Sequence, residues 1–136
     1  MYEAKDLVGT WRLVDWRALR NGEANGFPMG EDAEGQIIYS AEGRMAAFLM
    51  RSDFGDRPKG THPDPDSFIA YGGTFRTEGD KVIHDVLYAS IPHWIGNPLV
   101  RTIVPKDGDV LLNTAPERSK SGAEYVHQLL WRRIAG

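Results

Sequence analysis

The feature that most constrains this chain is a repeated alternation of strand-like runs and turn chemistry, with no helical run long enough to interrupt it. Gly9 to Arg20 (GTWRLVDWRALR) alternates, placing Trp11, Leu13 and Asp15 on one face and Arg12, Val14 and Trp16 on the other. Asn21-Gly22 and Asn25-Gly26 follow, residues that tolerate positive φ and so favour tight turns. Gly35–Ser40 and Arg44–Arg51 read as two strands joined at Ala41-Glu42-Gly43. Further strands are predicted over Tyr71–Thr77, Lys81–Ile91, Leu99–Pro105, Val110–Thr114 and Glu124–Ile134. Residues 52–66 carry three prolines and form a long polar loop, and a short helix is predicted over Pro65–Ala70.

The result is eight or nine strands in meander order, with no segment fit for a βαβ crossover. A meander of that size removes its exposed edges by closing on itself. The expected fold class is therefore all-β: an antiparallel up-and-down barrel with one or two short helices, one domain over residues 1–136. About eight strands leave an interior just wide enough for one small ligand or a plug of side chains. Fifteen glycines and eight prolines, about one residue in six, agree with many turns.

Charge and composition narrow the function. Sixteen basic residues stand against 19 acidic ones with no basic stripe, so no nucleic-acid partner is expected. No apolar run is long enough to span a bilayer as a helix, and the N-terminal residues lack a signal-peptide pattern, so a cytoplasmic protein without a membrane partner is expected. The absence of cysteine removes disulfides, thiol nucleophiles and zinc–thiolate sites. No phosphate-loop, dinucleotide or nucleophile-elbow motif is present, so no cofactor is expected. His62, Asp64 and Asp66 alternate in a proline-stiffened loop that reads as a solvated turn, and no metal site is expected.

Several segments in order, LVGTWRLVDW (7–16), GQIIYSAEGRMAAFLMR (35–51), YGGTF (71–75), VIHDV (82–86), IPHWIGNPLVR (91–101) and LLWRR (129–133), resemble the bacterial and fungal lipocalin-like domain family. The resemblance covers nearly the whole chain. It implies a lipocalin-like barrel with an N-terminal G-x-W strand whose Trp11 plugs the closed end under Arg132 or Arg133. Some members of the family sit among biosynthetic or catabolic enzymes. This chain has His84-Asp85 where the family often has His-His, and Pro92-His93-Trp94 where it often has Pro-Asn-Trp.

The candidate catalytic residues are His84, Arg101 and Asp15. His84 falls on a face with Val82, Val86 and Tyr88. It reads either as a core histidine or as an interior base or anchor, because its imidazole pKa is easily tuned. Arg101 needs a partner if buried, either Asp15 or an anionic ligand gripped by its planar fork. Tyr39, Phe48, Met50, Tyr71 and Tyr88 are expected to line a pocket, with His127 as a further interior candidate. The Pro92–Pro98 loop, with His93 and Trp94, reads as a rim that gates the barrel or as a contact between two copies in a homodimer. Three functions compete: binding of a small, mostly apolar molecule carrying a polar or anionic group; a cofactor-independent isomerase, cyclase or lyase using His84 as acid–base and Arg101 with a tyrosine against oxyanion charge; and a non-catalytic interaction protein. A cavity of roughly 300 Å³ or more that reaches His84 and Arg101 separates the ligand readings from the third.

Overall fold

The computed structural model describes residues 2–136 and shows the alternation resolved into strands nearly where the pattern predicts. A single helical turn, α1 (Ala4–Leu7), precedes β1 (Gly9–Arg20), β2 (Glu23–Ala24), β3 (Glu34–Tyr39), β4 (Arg44–Met50), β5 (Phe68–Glu78), β6 (Lys81–Ala89), β7 (Pro98–Lys106), β8 (Asp109–Thr114), β9 (Glu117–Arg118) and β10 (Glu124–Ala135). Asn21 and Gly22 both take positive φ, 49° and 81°, and turn β1 into the two-residue β2.

Neighbouring strands pair antiparallel, and β1 also pairs with β10, which closes an eight-stranded barrel; β2 and β9 are short additions at its rim. Closure leaves the barrel strands without a free edge. The helix expected over Pro65–Ala70 does not form. Phe68, Ile69 and Ala70 instead pair with Met50, Leu49 and Phe48, because extending the ladder satisfies their backbone groups. Two 3-10 turns occur elsewhere, at Phe54–Asp56 and Pro92–Trp94.

One end is sealed. The α1 turn lies across it, and the indole N–H of Trp11 donates to the carbonyl of Leu7 at 2.9 Å. Arg133, rather than Arg132, covers the Trp11 ring, with its guanidinium carbon 4.3 Å from the ring centroid. Arg132 is engaged by Asp109 at 2.9 Å. The other end is framed by the loops 25–33, 51–67, 90–97 and 115–123.

Two bulges reset which residues face inward. Leu13 pairs with Trp131 and Asp15 with Leu130, so Val14 is an extra residue in β1. From there Trp16 and Ala18 are buried, and Asp15 turns outward. In β5–β6, Gly72 pairs with Tyr88 but Gly73 with Val86, leaving Leu87 extra. Val86 is therefore buried while Tyr88 faces solvent. No helix among the described residues is long and apolar enough to cross a membrane.

Candidate functional site

Alternation within each strand builds an apolar shaft toward the open end. β3 and β4 contribute Ile37, Ala47 and Leu49; β5 contributes Ile69 and Tyr71; β8 and β10 contribute Leu112 and Leu129. These residues and the loops above them enclose a cavity of about 530 Å³, large enough for a small organic molecule. Pro28, Met29, Ile91, His93 and Trp94 line it from the open-end loops, and the exposed Asp66 and Glu117 stand at its mouth. Trp94 meets Tyr71 edge-on, with ring centroids 5.4 Å apart.

The polar side of the cavity is the informative part. His84 is only 1% exposed and sits between two tyrosines. Its Nε2 is 2.7 Å from the Tyr39 hydroxyl and its Nδ1 is 3.0 Å from the Tyr71 hydroxyl. Burial, with a smaller contribution from the nearby Arg101 charge, lowers the His84 pKa to about 3. The ring is neutral at physiological pH, and both nitrogens are engaged, so neither is free to take a proton from a ligand. Burial also raises the pKa of both tyrosines, against which Arg101 pulls downward.

Arg101 reaches the cavity from β7 and lies beside the Tyr71 hydroxyl. Its guanidinium donates to the carbonyl of Val100 at 3.3 Å. Among the described residues it forms no ion pair with a carboxylate. The partner expected in Asp15 is not there: the bulge at Val14 turns Asp15 out to Arg17, 2.7 Å away. His127 lines the cavity, and its Nδ1 accepts the indole N–H of Trp16 at 3.0 Å. That bond leaves the proton of the neutral ring on Nε2. Burial chiefly lowers the His127 pKa as well.

Of the pocket-lining residues expected from the sequence, Tyr71, His93, Trp94 and His127 line the cavity together with His84 and Arg101. Tyr39 is buried behind His84 and touches the cavity only through it. Phe48 and Tyr88 lie on the outer surface, 40% and 69% exposed, and Met50 does not reach the cavity. In β4 the inward positions are Met45, Ala47 and Leu49, one residue out of phase with Phe48 and Met50. The sequence reading missed Trp16, hidden by the bulge, and Trp131, whose indole N–H is buried without a partner among the described residues although the residue lines the cavity. The signal for Trp131 was its shared face with Leu129 and His127 in β10. No group of three or more His, Asp or Glu side chains among the described residues is placed to hold a metal ion.

The family model for the lipocalin-like domain matches residues 8–134. A solved structure described as REP1-NXSQ fatty acid transporter aligns with a TM-score of 0.44 and 15% identity, over 96% of this chain and 97% of that one. No match was found among curated proteins.

Proposed function

Because the chain belongs to the lipocalin-like domain family, we propose that its barrel holds one small organic molecule, mostly apolar, whose single polar or anionic group lies against Arg101. The observation that carries this reading is the Arg101 guanidinium, which borders an apolar cavity of about 530 Å³ without a carboxylate partner among the described residues. A cation in such a place is costly to bury alone, and an anionic ligand group offsets that cost. Catalysis with His84 as the general base has less support, since both ring nitrogens are already engaged. The His84 ring is better suited to orienting hydroxyl groups than to moving a ligand proton.

The test is calorimetric titration with 2-naphthoate and with its cationic counterpart 2-naphthylmethylamine. Wild-type protein binds the anion in preference, and Arg101→Met weakens anion binding by about 10- to 100-fold, the worth of a charged hydrogen bond. Equal affinity for the two probes, or an Arg101→Met variant that binds the anion as wild type does, overturns the reading.

A further inference from the structure

Tyr39, His84 and Tyr71 form a chain whose hydrogens have one favoured direction. The Tyr39 hydroxyl is buried, and His84 Nε2 is its only hydrogen-bond partner among the described residues. If Nε2 carried the ring proton, the hydroxyl hydrogen of Tyr39 would be buried without an acceptor. That arrangement is disfavoured by roughly tenfold or more. Tyr39 therefore donates to Nε2, and the neutral ring carries its hydrogen on Nδ1. The Nδ1–H group then donates to the Tyr71 oxygen at 3.0 Å. The Arg101 cation beside that oxygen favours the same polarity. The hydroxyl hydrogen of Tyr71 is left to point away from His84, and the surface that Tyr71 lines is the cavity.

We infer that Tyr71 is a specificity-determining donor which, together with Arg101, grips a carboxylate on the bound molecule, with Tyr39 and His84 acting as positioning residues that aim its hydrogen. This deepens, and rests on, the ligand-binding reading above. Another inner polar group agrees with it. His127 spends its Nδ1 lone pair on Trp16 and keeps Nε2–H as a donor. The side chains of Arg101, Tyr71 and His127 thus all offer hydrogens. The carboxylates of Asp66 and Glu117, which would suit an ammonium group, stay exposed at the mouth. A carboxylate supplies two acceptor oxygens in one plane, one for the guanidinium and one for the tyrosine.

Two independent measurements test the inference. In the first, nitrogen-resolved NMR of ring-labelled wild-type protein reports which His84 nitrogen bears the hydrogen; Nδ1–H is expected, and Nε2–H overturns the relay. In the second, 2-naphthoate, 2-naphthamide and 2-naphthylmethylamine, with decanoate as a linear probe, are titrated into wild type, Tyr71→Phe and Tyr39→Phe, each checked for folding by circular dichroism. Wild type is expected to favour the carboxylates over the amide by about tenfold. Tyr71→Phe loses about tenfold for the carboxylates and little for the amine, as removal of one hydrogen bond to a charged group predicts. Tyr39→Phe, which frees the tautomer, loses a smaller factor and shows a mixed His84 spectrum. Unchanged carboxylate binding by Tyr71→Phe overturns this inference while leaving the ligand reading intact. Failure of wild type to bind any of the probes overturns the ligand reading and the carboxylate assignment with it.

Discussion

The Arg133 guanidinium lies over the Trp11 ring at 4.3 Å while its two terminal nitrogens donate to the carbonyls of Val8 and Asp6, each at 2.6 Å. One side chain from the last strand thereby fixes both the plug of the barrel and the turn that leads into its first strand. The cation–π contact of this exposed arginine contributes about 0.5–1 kcal/mol, and each hydrogen bond up to about 1 kcal/mol more. Arg133→Ala is expected to destabilise the protein by about 2–3 kcal/mol in urea unfolding. Arg133→Lys recovers only part of that, because an ammonium cannot span two carbonyls and cover a ring at once. Ligand affinity at the opposite end is expected to stay within about twofold, apart from the loss of folded protein. A variant as stable as wild type counts against this role.

The closed end was legible through the resemblance to the lipocalin-like domain family, which sets the G-T-W tryptophan at the start of β1 under an arginine near the end of β10. Strand order was legible from the residues themselves, since turn chemistry punctuates each hairpin. The inward faces were harder to read. Alternation predicts a face only while the period of two holds, and the bulges at Val14 and Leu87 break it. Unbroken alternation puts Asp15 and Tyr88 inside and Trp16 outside, the reverse of where the bulges turn them. In β4 the run RMAAFLM is apolar at both parities, so nothing in it favours Leu49 over Phe48 as the inward residue. Met29 enters the cavity from a loop, whose approach no periodicity encodes.

The β5–β6 bulge depends on Gly73. A Cβ built there would stand 2.0 Å from the Asp85 carbonyl oxygen and 2.9 Å from the Leu87 nitrogen, both backbone atoms that cannot swing aside. Gly73→Ala is expected to cost at least about 2–3 kcal/mol, at the upper end of overpacking effects. Because the bulge also sets the phase of β6, the variant should bury Tyr88 more and expose Leu87 differently. Tyrosine accessibility to iodination and urea unfolding together check this. Wild-type stability in Gly73→Ala would show that the strands accommodate the methyl without shifting.

Stability should fall in acid more steeply than surface carboxylates alone require. The His84 pKa is about 3 in the folded protein, chiefly through burial, against 6.5 for an ordinary histidine. Between those values the unfolded chain binds a proton that the folded chain does not, so unfolding becomes easier as pH drops through that window. The slope is about 1.4 kcal/mol per pH unit for one proton, or about 3 kcal/mol between pH 6.5 and 4. His127, also lowered by burial, adds to it in the same direction. Urea unfolding at pH 7, 5.5 and 4 should therefore give a steeper loss for wild type than for His84→Gln, whatever the absolute stability of the variant. Parallel curves would mean that His84 is not held neutral.

Trp94 should govern how fast a ligand leaves. It sits on the Pro92–Trp94 turn at the cavity mouth, half-buried, with its ring edge-on to Tyr71 at 5.4 Å. Proline at the start of that turn restricts its backbone, and Gly96 supplies the positive φ (83°) with which the loop turns back toward β7. The indole therefore covers the opening and rests on the edge of the barrel core. Removing it uncovers the mouth while leaving Arg101 and the Tyr39–His84–Tyr71 chain in place. Trp94→Ala is expected to raise the dissociation rate of 2-naphthoate about tenfold while the association rate changes by less than about threefold, the pattern of a lost contact at an existing site. Because Trp94 is only half-buried, at the edge of the core, the melting temperature should move by only about 2–4 °C. Stopped-flow fluorescence of the remaining tryptophans resolves the two rates. A change confined to association would make the loop a barrier to entry instead of a cover on the bound molecule.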